Sequence, residues 1–501
     1  MTDAAGGTPP QYDYDDGHKW RAFTAIGISF VTMVMSISMV FVALNAIAED
    51  FDVTLRAVTW VVIAQALTIS ALMMPMGRLA DIVGWKRVHL VGLVLFATGA
   101  TLIAFAPTFP LVIFGRVVMS IGNAMGQAVG TAMVVAVFPD DERGKAIGSQ
   151  TTAVAIGGAS GPIIGGFVLQ VLPWEALFLG LVVPIGIAFV AGLIILDDAR
   201  MQPNRRTSRP AFDWGGAILS ALAVILLVIT INNPRGDSWL SPVILGSLGA
   251  AALLIVAFVR WELRIPAPML DLTLFRNRVF SLAVLTRFLG FMGTTATRFL
   301  SPIYLISLRG LEEGAAGAIL FLISFGMGIS AQAAGQLSDR FGSRRFSVAG
   351  FVVLAVTSPP MAFLDQGTPM ALVGLLLFAN GFGMGLWNVP NNSVIMGSVP
   401  SSRLGVVSAL TNLTRNVGNV VGQAIASGVI VAVMAANGFD IPLDEISDTA
   451  GAAAAFVQGW RVAYALVTAY ALVGLLLAIS TKPPAEGQPS EASRQPSAVA
   501  R

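Results

Sequence analysis

The sequence predicts an all-α membrane protein of fourteen transmembrane helices, built as two six-helix bundles with two further helices inserted between them. Three observations predict it: a composition too apolar for water, recurrent apolar runs of spanning length, and a basic charge that alternates from loop to loop. Of 501 residues, 55% are hydrophobic and 12% charged, whereas soluble domains are about 25% charged. With a mean hydropathy of +0.77, such a surface cannot be wetted all round, and its solvent is largely lipid. The chain has no cysteine, which excludes disulfides, thiolate metal sites, iron–sulfur ligation and a cysteine nucleophile. His18 and His89 are the only histidines, too few for a histidine-based metal site.

The apolar runs fall at 23–47, 57–76, 88–107, 110–136, 146–170, 175–196, 214–232, 240–259, 280–307, 315–336, 346–364, 370–396, 404–434 and 460–480. Each is long enough to cross a hydrocarbon core about 30 Å thick. Barrel strands would instead alternate over segments of about ten residues. Turn signals keep neighbouring runs apart, as at Pro107 with Pro110, Pro139 with Asp140, and Asn232-Asn233-Pro234. Residues 1–20 are polar, with Asp13, Asp15 and Asp16, and the first run continues to full length. It is therefore expected to remain as the first helix and not to be cleaved as a signal.

The positive-inside rule orients the chain. With the N-terminus inside, roughly 22 of the 30 Lys and Arg fall in inner segments and roughly three, Arg56, Arg235 and Arg309, fall outside. Both termini are thus expected in the cytoplasm, in the cell (inner) membrane. The domains expected are a cytoplasmic N-tail (1–22), a six-helix bundle (23–196), inserted helices 7 and 8 with flanking cytoplasmic linkers (197–279), a second six-helix bundle (280–480) and a disordered tail (481–501). Segment 261–279 mixes apolar positions with Glu262, Arg264, Asp271, Arg276 and Arg278, which suits a lateral interfacial helix or an amphipathic strap.

The chain repeats itself. Gly77-Arg78-Leu79-Ala80-Asp81-Ile82-Val83-Gly84-Trp85-Lys86-Arg87 follows the second run. Gly335-Gln336-Leu337-Ser338-Asp339-Arg340-Phe341-Gly342-Ser343-Arg344-Arg345 follows the tenth, with Gly, Leu, Asp, Gly and Arg at constant spacing. Gly77 and Gly335 would let helix ends approach, while Asp81 and Asp339 suit a helix N-terminus. Gly84 and Gly342 would make tight turns, and Arg87 and Arg345 would fix the loop at the inner face. The placing of the copies implies two halves with helices 7 and 8 between them.

These residues resemble the loop motif of the major facilitator superfamily, over essentially residues 21–480. Gly157-Gly158-Ala159-Ser160-Gly161-Pro162-Ile163-Ile164-Gly165-Gly166 resembles the antiporter motif of drug exporters, a glycine-lined helix face with a bending proline. The order of elements, with Glu142-Arg143-Gly144 and Met269–Phe275, is similar to the fourteen-helix drug:proton antiporter family. The resemblance implies a gating role for the two loops, a packing role for Gly157, Gly161, Pro162, Gly165 and Gly166, and export of a small molecule. It also departs from the family. Ser36 stands where the pattern has an aspartate, and Arg116 is followed by Met119 and Ser120 in place of Gln-Gly.

An ionisable group at mid-membrane is expensive and points to function. No Asp or Glu falls deep in a run; the deep charges are Arg116, Arg298 and Arg415, while Arg287 and Arg461 are expected nearer the faces, free to snorkel. Each deep Arg could brace the bundle on carbonyls or line a cavity. Ser36, Gln65, Arg116, Arg298, Trp387, Asn388, Asn391, Asn392 and Arg415 form the expected substrate site. Guanidinium groups without a carboxylate should repel cations and admit anionic, zwitterionic or lipid-like molecules. The chain is expected to be a monomer in membrane lipids, moving a small-molecule or lipid-like substrate by alternating access. Protons are the candidate coupling ion. No cofactor, metal, nucleic acid or enzymatic reaction is implied, and no phosphate-binding loop for ATP occurs. The alternatives are a proton-coupled multidrug antiporter for cationic drugs and a non-transporting receptor or assembly partner of the same fold.

Overall fold

The structure, a computed structural model, describes residues 16–202, 212–232, 241–400, 403–439, 449 and 451–481. Fourteen long helices run through them, with no strand among the described residues. They are α1 (Asp16–Asp50), α2 (Trp60–Val83), α3 (Trp85–Ala104), α4 (Phe109–Val137), α5 (Arg143–Val171), α6 (Glu175–Ile195), α7 (Trp214–Asn232), α8 (Pro242–Glu262), α9 (Arg278–Ile303), α10 (Glu313–Phe341), α11 (Ser343–Met361), α12 (Met370–Gly397), α13 (Leu404–Ala436) and α14 (Ala452–Ser480). Thirteen are long and apolar enough to cross a membrane. The other, α11, carries Arg344, Arg345 and two prolines, yet packs between α12 and α14 as a spanning helix would.

Each apolar run became one helix, and several helices outrun it. At 35 residues, α1 is about 50 Å long, well beyond the core of a bilayer, because its polar first turns are helical too. Hydropathy reads only the part that lipid must cover. Segment 263–277 differs from the helical option. It holds a single 3-10 turn, Leu272–Arg276, since Pro266 and Pro268 remove donors and push their neighbours into extended backbone. It is a strap. The tails, most of the basic linker and the acidic outer loop at 440–448 lie outside the described residues.

In the first half, α1 packs on α4, α5 and α6, and α3 on α4 and α6; in the second, α9 packs on α12, α13 and α14, and α11 on α12 and α14. Lipid supplies no hydrophobic drive between helices, so close backbone approach does the packing. The halves meet along α5 with α10, and along α2 and α4 with α13. The inserted pair sits to one side: α7 leans on α2 and α13, and α8 leans on α7. Lys19 near the start of α1 bonds Glu142 before α5 at 2.6 Å, and Arg344 opening α11 donates to the Ile479 carbonyl ending α14. Both described chain ends therefore share one face of the bundle, the terminus face.

Candidate functional site

At the terminus face the two repeated loops exchange partners between the halves. Asp81, at the end of α2, accepts the Gly405 and Val406 N–H groups at 3.0 and 2.9 Å, the first turn of α13. Asp339, at the end of α10, accepts the Gly144 and Lys145 N–H groups at 2.8 and 2.9 Å, the first turn of α5. Each carboxylate so satisfies two orphan donors and meets the positive end of a helix dipole. The glycines make this possible. A Cβ on Gly77 would strike Ala409 and lie 2.9 Å from the Gly405 carbonyl, and one on Gly335 would strike the Gly144 carbonyl. Gly84 and Gly342 turn the chain into the next helix at φ 117° and 88°, the left-handed side that favours glycine. Arg87 and Arg345 are exposed. Their neighbours tie the corner instead: Lys86 Nζ donates to the Leu193 carbonyl at 2.9 Å, and Arg344 to that of Ile479.

The glycines of α5 divide between two partners. Gly157 and Gly161 lie against α1, where a Cβ would come within 2.6 Å of the Val31 carbonyl and 2.9 Å of the Met35 carbonyl, and Gly165 meets Met39 at 3.0 Å. A Cβ on Gly166 would meet nothing within 4 Å, and Pro162 is exposed. Nearer the terminus face α5 turns to α10, with Ser149 Oγ on Gln332 at 3.3 Å and Thr152 Oγ1 on the Gly328 carbonyl at 3.2 Å. Beyond Thr152 no hydrogen bond joins α5 to α10 among the described residues. A cleft of about 370 Å³ opens there, lined by Ala155, Ile156, Ala159, Phe321, Phe325 and Ile329.

Inside the first half, Arg116 is fully buried. It donates to the Val61 and Ser36 carbonyls at 3.3 Å each, to Gln65 Oε1 and to Met119 Sδ. The Ser36 hydroxyl turns back to the Met33 carbonyl. Ser36, Gln65 and Arg116 do converge, as neutral acceptors around one cation. In the second half Arg287 corrects the expectation of a snorkelling residue. It is 3% exposed, donates to the Thr411 carbonyl at 3.0 Å and Asn388 Oδ1 at 2.8 Å, and lies over the Phe291 ring. Asn391 donates to the Ala283 carbonyl, and Asn392 is buried with its Oδ1 unpartnered. Trp387, expected to line a cavity, is fully buried between Phe291 and Phe351. It has no face to offer a ligand.

Arg415 reaches across the halves to Gln127 Oε1 at 2.7 Å, and Asn412 to the Gln127 carbonyl at 2.9 Å. Arg298 is unlike the others. It is exposed, and its hydrogen-bond partners are two thioethers, Met327 Sδ at 3.4 Å and Met384 Sδ at 3.5 Å, both weak acceptors. Arg298 acts electrostatically on Arg415, and Arg415 on Arg287. A charged side chain that keeps open surface inside a span pays a large penalty wherever it faces hydrocarbon. Arg298, Arg415 and Arg287 so form a cation cluster, and none of their hydrogen-bond partners among the described residues is a carboxylate.

Sequence reasoning missed the partners more than the actors. Gly405, Val406, Gly144 and Lys145 contribute backbone N–H groups, which leave no side-chain signature. Arg403, just before α13, pairs with Asp271 of the strap. Burial would raise the Asp271 carboxyl, but hydrogen bonds from Thr273 and the Arg403 guanidinium outweigh it and hold the group below the usual carboxylate range.

A family model described as Major Facilitator Superfamily matches residues 24–423. The riboflavin transporter RibZ of Clostridioides difficile is 30% identical over 411 residues, 82% of this chain and 88% of its own length. The multidrug efflux pump LfrA of Mycolicibacterium smegmatis is 28% identical over 447 residues, 88% of this chain and 86% of its own. Among solved structures, the human organic anion transporter MFSD10 (TETRAN) superposes with a TM-score of 0.65 at 16% identity, covering 94% of this chain and 100% of that one. That last likeness is one of fold.

Proposed function

The chain belongs to the Major Facilitator Superfamily, and we propose that it exports amphiphilic, anionic or lipid-like organic compounds by alternating access. It is a multi-pass membrane transporter of small molecules, not an enzyme, and its relatives include multidrug exporters. The finer reading rests on one observation. Among the described residues, Arg298 is exposed within its span, has only thioethers as hydrogen-bond partners, and stands beside Arg415 with no carboxylate bound to it. An anionic head group would supply the partner that the fold withholds, while the apolar cleft between α5 and α10 would take the rest of an amphiphile.

The terminus face is the cytoplasmic face of the inner membrane in this reading, in keeping with its basic loops. Asp81 and Asp339, with Gly77, Gly84, Arg87, Gly335, Gly342 and Arg345, form the inner gate, which is closed here. Opening it means peeling two carboxylates from two helix N-termini while the halves rock. Arg298, Arg415 and Asn388 read the cargo; Arg116 with Ser36 and Gln65 braces the first half. Proton-coupled efflux of cationic drugs is the second reading, favoured by the multidrug relatives and disfavoured because no carboxylate among the described residues pairs with Arg298, Arg415 or Arg287. Counterflow in proteoliposomes decides between them. Trapped anionic amphiphiles should drive uptake of a labelled anion, and matched cations should not. Exchange of cations alone would overturn the anionic reading, and no exchange at all would overturn transport of these classes.

A further inference from the structure

We propose that Asp213 and Glu262 hold one proton between them, and that this shared proton fastens the inserted helix pair to the strap leading to the inner gate. Asp213 directly precedes α7 and Glu262 ends α8, and they are 5% and 4% exposed. One oxygen of each is satisfied. Asp213 Oδ1 accepts the Gly216 N–H and the Trp261 Nε1–H, both at 2.9 Å, and Glu262 Oε2 accepts the Leu270 N–H at 3.1 Å. The other two, Asp213 Oδ2 and Glu262 Oε1, are buried and find no donor. They crowd the same spot: a Cβ on Gly216 would collide with both. The two carboxyls lie within hydrogen-bonding reach of one another.

Two ionised carboxylates so placed would repel, each with a buried, orphaned oxygen. A single proton removes both faults at once, because the protonated group donates to its neighbour. The proton then belongs to the pair and not to either residue. No cation among the described residues offers an alternative. Arg260 and Arg264 beside Glu262 are exposed. On α2, Arg78 acts on Asp81; just before α13, Arg403 is bound by Asp271, and on α13 Arg415 by Gln127.

The position gives the pair its leverage. Leu270, bonded to Glu262, is followed by Asp271, bonded to Arg403. Arg403 directly precedes α13, whose Gly405 and Val406 N–H groups Asp81 holds. The same α7 leans on α2 and α13, the two helices that this half of the gate joins. Loss of the proton leaves two buried negative charges under the strap and favours its release. The fastening is therefore present at low pH and lost as pH rises and the pair gives up its proton. It operates whatever the cargo is, and its test needs none.

The test is hydrogen exchange on the purified full-length protein, from acidic to alkaline pH, with rates corrected for intrinsic exchange. Wild type, Glu262→Gln and Asp213→Asn are compared, with chelator or with added monovalent and divalent cations. Wild-type protection at Leu270 should fall by roughly tenfold or more on the alkaline side, as for one lost hydrogen bond to a charged group. Both amide variants should keep protection throughout, since an amide donates permanently where the proton did. Protection indifferent to pH in wild type would overturn the shared proton, as would an alkaline loss that persists in both variants. Protection that follows added cation and not pH would replace the proton by a bound metal.

Discussion

Replacing Asp81 by asparagine should loosen the inner gate without touching the cargo site. The carboxylate accepts three hydrogen bonds, from the Gly405 and Val406 N–H groups and from Trp85 Nε1. Asparagine keeps one acceptor oxygen and points an NH2, itself a donor, at the remaining donors. One bond to the α13 terminus is lost, and the other drops from charge-assisted, about 1.5–3 kcal/mol, to neutral, about 1 kcal/mol. Water reaches the half-buried group and recovers part of the difference. A net loss of about 2 kcal/mol remains, roughly thirtyfold in the ratio of closed to open gate. The assay is exchange protection of the Gly405 and Val406 amides beside binding of a transported ligand. Protection should fall by that factor and affinity should hold. Unchanged protection in a folded variant, or intact protection with lost affinity, would refute the latch.

Gly161→Ala should lower thermal stability by about 1–3 kcal/mol, because its Cβ meets the Met35 carbonyl at 2.9 Å, whereas Gly166→Ala, with nothing within 4 Å, should be neutral in the same melting assay. Cysteines placed at Arg264 and Glu312, both exposed in a cysteine-free chain, should label from the cytoplasm and from outside respectively; labelling of both from one side would break the topology. Asp271 is held below the usual carboxylate range, so its tie to Arg403 should persist above that range and fail as pH falls through its depressed value. Exchange protection of the strap should therefore also drop at acid pH, and Asp271→Asn should abolish that acid limb alone.

The spans were legible because lipid imposes length and hydropathy on every helix that touches it. The two loop carboxylates were legible because Asp81 and Asp339 repeat with their glycines at fixed spacing, though not whom they hold: a backbone N–H looks alike in every residue. Arg287 was misread because depth was judged along one helix, while Asn388 and the Thr411 carbonyl come from two others. Trp387 was misread for a related reason. Gly290 leaves room for its indole and Gly350 lets the α12 backbone at Trp387 approach α11, and nothing local to α12 says so. Glu262 read only as one charge of the 261–279 segment, and nothing in the sequence paired it with Asp213 until α7 and α8 folded back on each other.

The central claim is that Arg298 reads negative charge on the cargo, and paired ligand titrations test it most directly. Binding of an anionic amphiphile and its neutral isostere is measured on wild type, Arg298→Ala and Arg298→Lys, corrected for active fraction. Arg298→Ala should weaken the anion by about 1.5–3 kcal/mol, the worth of a hydrogen bond to a charged group, and leave the neutral ligand nearly unchanged. Arg298→Lys should restore part of the loss, because it keeps the charge and forfeits the planar fork. Equal losses for both ligands, or none for either, would contradict the account and remove the anionic cargo with it.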